Sequence, residues 1–273
     1  MLRSSNPILS KKDAFTPAAP QYGQQYQGYP TQGGFGGPQD PRSNAPQTVQ
    51  GRMTLDDVIT KTAVTIGVLV IAAALAWNFV PDSLYFPAMI LSGLVGFGVV
   101  LLVSFRRNIS PGLVVLYAAI EGVFIGMISK VFEQVYTGIV AQAVVATFVA
   151  AGVTLAAYKF FNIRVTAKFT KIVFISTAAF AGLMLINFIF SLVTGSGGLR
   201  SGITGPVSGL SILVSAVAIV LAVLNLVLDF DYVERGIEMG APASESWRAA
   251  FGLTVTMVWL YIEMLRLISY IRR

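Results

Sequence analysis

The sequence contains no cysteine and no histidine. Without cysteine, disulfides, thiolate metal sites and a thiol nucleophile are excluded. Without histidine, the chain lacks the most common metal ligand, the usual proton shuttle and the base of a Ser-His triad. Since no other nucleophile–base pair is evident, we expect neither an enzyme nor a resident cofactor. A group that responds to protons near neutral pH must be a carboxyl group in an unusual environment.

Charged residues are also scarce. They make up 12% of the 273 residues, while 55% of the residues are apolar, whereas soluble domains are about a quarter charged. The mean hydropathy of +0.72 indicates an integral membrane protein. The net charge is +6, and the basic residues lie at the ends of apolar runs. This placement is typical of loops at an anionic membrane surface, so we expect a lipid bilayer and not nucleic acid as the partner.

The first 50 residues differ from the rest of the chain. They are rich in Gln, Gly, Pro and Tyr, as in QYGQQYQGYPTQGGFGG. Such a segment cannot bury enough apolar surface to offset the entropy of ordering it. We therefore predict a disordered tail over residues 1–50 and a transmembrane domain over residues 51–273. A docking motif for a partner protein is the alternative interpretation of the tail.

Seven apolar runs are long enough to cross the hydrocarbon layer, which takes about 20 residues in a helix. The alternation of polar and apolar residues that a β-barrel requires is absent from them. The sequence therefore predicts an all-α bundle of seven transmembrane helices. Their expected positions are near 63–80, 85–105, 112–131, 138–158, 171–194, 207–230 and 249–270.

The basic residues also predict the orientation in the membrane. With a cytoplasmic N-terminus, ten lie on the inner side: Arg52, Lys61, Arg106, Arg107, Lys159, Arg164, Lys168, Lys171, Arg235 and Arg248. Four lie on the outer side: Lys130, Arg200, Arg272 and Arg273. This asymmetry favours a cytoplasmic N-terminus. The terminal Arg272-Arg273 pair is discordant and allows a last helix that does not cross fully.

Two pairs of small residues have the spacing that lets helix backbones approach closely. Gly122 and Gly126 lie four residues apart in the third run, and Ser92 and Gly96 do so in the second. Such pairs are typical of helix–helix contacts in membranes. We expect them to serve ordinary bundle packing.

A few charged residues lie within the apolar runs, where a charge is costly. They are Glu121 in the third run, Asp229 near the end of the sixth, and Glu263 with Arg266 in the seventh. Glu263 and Arg266 share a helix face and can form an ion pair. The alternative is that Glu263 points at a second acid across the bundle. Asp229 is a better interior candidate than Asp231, which is nearer the loop and can be solvated.

Asp229 and Glu263 suggest a pH-sensitive cation path. Two carboxyl groups held together in a dry site cannot both ionise easily, so one keeps its proton near neutral pH. When ionised, the pair supplies the hard oxygen ligands that suit Ca²⁺. Arg106 and Arg107, at the end of the second run, would compete with a cation there or simply mark the cytoplasmic side.

Three short passages carry a resemblance to a known family. They are IEGVFIG at 120–126, LDFDYVERG at 228–236 and LYIEMLRLI at 260–268. In this order, within a seven-span frame over about residues 55–273, the chain resembles the Bax inhibitor-1 (TMBIM) family in its bacterial YccA/YetJ-like branch. The resemblance implies a pH-sensitive Ca²⁺ leak in a bacterial plasma membrane, through a bundle with a central last helix. It also implies that Asp229 pairs with Glu263 and that Arg106 latches to them.

The chain departs from that family pattern in three respects. Glu263 replaces the usual aspartate, and the interval from Asp229 to Glu263 is longer than in the bacterial pattern. We expect the extra residues to lie in the loop MGAPASESW. Arg266 is close enough in sequence to neutralise Glu263.

Two other functions compete with the leak channel. One is a regulatory membrane protein that binds another membrane protein, such as a membrane protease. The other is a secondary transporter, which ranks last because the sequence shows no internal repeat of the kind that such folds contain.

Overall fold

The structure is a computed structural model, and it describes residues 51–106, 109–161, 163–195, 198–200 and 206–273. These ranges include nearly all of the predicted transmembrane domain. The tail predicted over residues 1–50, and Arg107, lie outside the described residues.

The described residues form seven α-helices, each long and apolar enough to cross a membrane. They are α1 (Leu55–Phe79), α2 (Tyr85–Phe105), α3 (Pro111–Val135), α4 (Ile139–Phe160), α5 (Ala167–Thr194), α6 (Gly209–Glu238) and α7 (Glu245–Ile271). A short 3₁₀ helix, Asp82–Leu84, precedes α2. The predicted all-α bundle of seven spans is confirmed. At 27 residues, α7 is about 40 Å long and therefore long enough to cross in full.

The helix ends follow signals in the sequence. The Thr54 side chain accepts a hydrogen bond of 3.2 Å from the backbone N–H of Asp57, which caps α1. Pro111 is the first residue of α3, where the missing N–H of proline costs nothing. α5 ends at Gly195, whose φ of 67° lies in the left-handed region that glycine adopts without strain.

Glycines bring α1 close to α3. A Cβ atom on Gly126 would lie 2.5 Å from the carbonyl oxygen of Ala73, and one on Gly122 would lie 2.7 Å from Cβ of Ala72. Only a residue without a side chain permits this approach, so the predicted role of the Gly122/Gly126 pair in helix packing is confirmed. On the other side of α3, a Cβ on Gly96 would lie 2.6 Å from Oε2 of Glu121.

The last helix is the centre of the bundle. α7 packs against α1, α3, α4 and α6, and many of its residues are buried along its whole length. One of its polar contacts is a 2.6 Å hydrogen bond between the hydroxyls of Tyr261 and Ser129 of α3. The expected central position of the last helix is confirmed.

We call the end of the bundle at which α1 starts the near end, and the opposite end the far end. At the near end, the backbone N–H of Met53 donates to the carbonyl oxygen of Ala241 over 2.7 Å, which joins the start of α1 to the α6–α7 loop. At the far end, Lys130 donates to the carbonyl oxygen of Trp77 over 2.8 Å. The α5–α6 loop belongs to the far end, because α5 starts and α6 ends at the near end.

Candidate functional site

A row of mostly polar residues, the polar stripe, runs along one face of α7. Its members recur every three or four residues, which places them on one side of a helix: Gly252, Thr256, Trp259, Glu263, Arg266 and Tyr270. Going along α7 from the near end to the far end, successive residues of this stripe contact different elements of the bundle. Because it connects the two halves of the bundle and carries the most buried charge of α7, we take this α7 stripe as the candidate site.

Asp229 faces the stripe in the near half of the bundle. Its Oδ2 accepts a 2.6 Å hydrogen bond from the hydroxyl of Thr256. A Cβ atom on Gly252 would lie 3.2 Å from Oδ1, so the absence of a side chain there leaves room for the carboxylate. Asp231 does not join this contact, because it forms an ion pair of 2.9 Å with Arg235 on its own helix.

An aromatic layer occupies the middle of the stripe. Trp259 stacks on Phe180 of α5, with ring centroids 6.0 Å apart and an interplanar angle of 28°. Ala218 and Leu221 of α6 complete this apolar cluster. The layer lies between the level of Thr256 and the level of Glu263, so the two halves of the stripe are separated by packed rings.

Glu263 forms an ion pair with a loop residue in the far half. Nη2 of Arg200 lies 2.8 Å from its Oε1, and Glu263 and Arg200 are 2% and 9% exposed. The guanidinium of Arg200 also lies over the ring of Phe180, 5.6 Å from its centroid. The backbone N–H of Leu199 donates to Oδ1 of Asn187 over 2.6 Å, which holds the loop against α5. Leu199 and Arg200 of the α5–α6 loop thus lie against the bundle.

The structure does not bring Asp229 and Glu263 together. Asp229 lies nine residues before the end of α6, about 14 Å along the helix from the near end. Glu263 lies eighteen residues after the start of α7, about 27 Å along the helix from the same end. α7 begins at Glu245, inside the MGAPASESW segment, so that segment is only in part a loop. The place of the extra residues stays a prediction, while Glu263 lies past the level of Asp229 in the other half of the bundle.

Arg266, the other expected partner of Glu263, lines the same cavity, while the described ion pair of Glu263 is with Arg200. From the sequence, Arg200 is predicted only to be one of the basic residues on the outer side. A signal was present, because Arg200 is the only charged residue between Lys171 and Asp229. The sequence alone did not indicate that Arg200 pairs with Glu263.

Arg106 and Glu121 lie away from the α7 stripe. Arg106 is the exposed residue after α2 at the near end, and its carbonyl oxygen lies 3.5 Å from Nη1 of Arg248. Glu121 extends from α3 towards Gly96 of α2. Their modulating roles stay predictions.

A cavity of about 620 Å³ opens around the far half of the stripe. The charged and polar residues in its wall include Arg200, Glu263, Arg266, Tyr270, Asn187 and Arg273. A separate apolar groove of about 380 Å³ lies among α1, α3, α4 and α7. Within the described residues, no three acids lie together in a way that could hold a metal ion, so a cation on the stripe would keep part of its water shell.

Comparison with known proteins gives one result on the family. A family model described as Bax inhibitor 1 like matches residues 6–273. The match begins well before residue 55, where the resemblance seen in the sequence motifs began, and it includes most of the predicted tail. None of the curated proteins matches the chain.

Proposed function

Because the chain belongs to the Bax inhibitor 1-like family of membrane proteins, we propose that it is a pH-responsive leak for calcium ions along the polar stripe of α7. The observation that carries the proposal is the position of Asp229, a carboxylate that faces the central helix well inside a seven-helix bundle. A carboxylate at such a depth is costly and is characteristic of ion and proton pathways.

The near half of the stripe offers oxygen ligands to a cation. The carboxylate of Asp229 and the hydroxyl of Thr256 lie within 2.6 Å of each other, and hard oxygen atoms are the ligands that Ca²⁺ prefers. Protonation of Asp229 removes its charge and with it most of the attraction for the ion. The leak is therefore expected to be larger at higher pH and to fall as the pH is lowered.

Two features of the far half oppose the passage of a cation. The stacked rings of Trp259 and Phe180 fill the middle of the stripe, and the guanidinium of Arg200 occupies the carboxylate of Glu263. In this proposal a cation passes when Arg200 leaves Glu263 and the rings separate. The proposed gate thus consists of two independent acids, Asp229 and Glu263, rather than of one shared pair.

Calcium flux into proteoliposomes tests the proposal. The purified protein is reconstituted around a Ca²⁺-sensitive dye, and the rate of entry is measured from about pH 6 to about pH 8, where a perturbed carboxyl group can titrate and the chain has no imidazole that would do so. Asp229→Asn is expected to lower the flux and to remove its dependence on pH. Asp231→Asn is the matched control, because Asp231 is two residues away and pairs with Arg235. Equal profiles for wild type and Asp229→Asn would refute the leak along this stripe.

The proposed location is a bacterial plasma membrane with the N-terminus inside, which the concentration of basic residues at the near end supports. Since the chain contains no cysteine, single cysteines can report the orientation. Ile163→Cys lies in the near-end loop after α4, and Thr137→Cys lies in the far-end loop before α4. A membrane-impermeant thiol reagent applied to intact cells should label Thr137→Cys and leave Ile163→Cys unlabelled. The opposite pattern would reverse the orientation.

One observation favours the second candidate, a regulator that binds another membrane protein. In the described part of the chain α5 packs against α6, and it leaves side chains such as Phe174 and Ile186 71% and 67% exposed. Apolar side chains of α5 that no other described helix covers can contact a helix of a partner. Recovery of one stoichiometric partner from native membranes, lost on Phe174→Ala with Ile186→Ala, would favour this role, while retention of full flux by the isolated protein would favour the leak.

A further inference from the structure

The cavity at the far half of the stripe carries an excess of positive charge. Its described lining includes three arginines, Arg200, Arg266 and Arg273, and one acid, Glu263. Glu263 can balance one of them, and it already lies against Arg200. Arg273 is exposed and donates to the hydroxyl of Tyr136, so the positive charge that lacks an ion pair among the described residues of the cavity is that of Arg266. Such a charge is disfavoured inside an apolar bundle.

The polar atoms in this cavity also lack partners. Among the described residues, Nε of Arg200, Nε of Arg266, the hydroxyl of Tyr270 and Oε2 of Glu263 are buried without a hydrogen bond. Buried polar groups in folded proteins almost always have partners, so several unsatisfied atoms in one place require an explanation. Three of these four groups donate hydrogen bonds, and the oxygens of an anion would accept them.

The electrostatics of Arg200 agree with this. Burial, and then the positive charge of Arg266, lower the pKa of the Arg200 guanidinium from its ordinary value. An arginine keeps its proton in a protein, so the unfavourable interaction with Arg266 persists until a negative charge enters between them. Glu263, on the side of α7, supplies only part of that charge.

We propose that this cavity binds a phosphate-bearing anion, whose oxygens accept hydrogen bonds from Arg200, Arg266 and Tyr270. Guanidinium groups match the spacing of phosphate oxygens and bind them through two parallel hydrogen bonds. Nε of both arginines and the Tyr270 hydroxyl are the donors that such a ligand satisfies.

The shape of the cavity indicates a phosphate that carries an organic group. Its volume of about 620 Å³ is far larger than a phosphate ion needs, and apolar side chains, among them Met184, Phe188 and Ile128, form part of its wall. A phosphodiester with an apolar portion would place its phosphate between the arginines and its remainder against this wall. The headgroup of an anionic phospholipid and a free phosphate compound share this chemistry.

The binding of an anion here does not depend on the proposed leak, but it would change the rate at which cations pass. Arginines at the far half repel a cation that approaches along the stripe, and a bound anion would reduce that repulsion. Binding and flux can therefore be measured separately. A protein that binds the anion and conducts no Ca²⁺ would retain the present inference and refute the proposed function.

Thermal unfolding of the full-length protein in an uncharged detergent tests the inference. Three probes are added separately: dioctanoyl phosphatidylglycerol, dioctanoylglycerol, which has the same chains without a phosphate, and inorganic phosphate. A rise in Tm with phosphatidylglycerol alone identifies a lipid headgroup, and a rise with inorganic phosphate identifies a free phosphate as sufficient. No rise with either phosphate probe, or the same rise with dioctanoylglycerol, would overturn the inference.

Variants locate the binding. Arg266→Gln is expected to weaken the binding of the effective probe at least tenfold, while Lys168→Gln, an exposed residue of α5 at the near end, should leave it unchanged. If Arg266→Gln does not fold, Tyr270→Phe serves instead, because it keeps the ring and removes only the donor; it should weaken binding several-fold. Binding that is unchanged in Tyr270→Phe and in every folded Arg266 variant would place the anion elsewhere and refute this site.

Discussion

Nη2 of Arg200, in the loop after α5, lies 2.8 Å from Oε1 of Glu263, eight residues before the last residue of α7. Both side chains are almost wholly buried. The contact joins a far-end loop to the central helix of the bundle. It also explains why Glu263 is tolerated inside an apolar bundle, since a buried carboxylate needs a partner of opposite charge.

Loss of either partner of this ion pair is expected to destabilise the protein. Arg200→Met and Glu263→Met each leave one buried charge unpaired, and such changes cost about 3–5 kcal/mol. The double variant should recover much of that loss, because two apolar side chains then replace two charges. The free energy of unfolding in detergent, measured for all four proteins, gives the coupling between the two residues.

The matched control for this cycle is the ion pair of Glu245 with Arg248 at the near end, which is 2.7 Å long and partly exposed. Its removal should cost at most about 1 kcal/mol. Additive losses at Arg200 and Glu263, with no recovery in the double variant, would contradict a direct ion pair between them.

Much of the fold could be predicted from the sequence because the bilayer imposes strong rules. Length and hydropathy locate the seven spans, and Pro111 and Gly195 mark helix ends through their backbone chemistry. The close contact of α1 with α3 also follows from local spacing, since Gly122 and Gly126 lie one helical turn apart. These features depend on neighbours in the chain.

The partners of the buried charges could not be predicted in the same way. Whether Glu263 meets Asp229, Arg266 or Arg200 depends on the length of α7 before it and on the path of the α5–α6 loop, and neither is a local property. The helical period of the α7 stripe was visible in the sequence from Gly252 to Tyr270. This period identifies Thr256 as a member of the stripe, but not as the partner of Asp229.

The hydrogen bond from Thr256 to Asp229 is expected to set the pH at which the leak responds. A carboxylate accepts this bond more strongly when it is ionised, so Thr256→Val should move the midpoint of the flux profile to higher pH. Thr256→Ser keeps the hydroxyl and should leave the midpoint near that of the wild type. The measurement is Ca²⁺ entry into proteoliposomes over a series of pH values. Coinciding midpoints for the valine and serine variants would show that the hydroxyl does not act on the responsive group.

Trp259 is expected to limit the basal leak. Its ring stacks on that of Phe180 between the level of Asp229 and the level of Glu263, so Trp259→Ala should open a gap and increase Ca²⁺ flux several-fold at every pH. Trp77→Ala is the control, because Trp77 lines the apolar groove beside α1 and α4 instead. The same rates for Trp259→Ala and wild type would mean that the rings do not obstruct the path.

The contact of α1 with α3 gives a prediction that is independent of any transport role. A Cβ atom on Gly126 would lie 2.5 Å from the backbone oxygen of Ala73, and a backbone cannot move aside as a side chain can. Gly126→Ala should therefore push α1 away from α3 and destabilise the protein by about 1–3 kcal/mol. Gly182→Ala, in α5, is the matched control, since nothing lies within 4 Å of its Cβ position. It should be neutral or stabilising by up to about 1 kcal/mol, because alanine favours a helix more than glycine does. Equal unfolding temperatures for Gly126→Ala and Gly182→Ala in detergent would mean that the two helices are not in backbone contact.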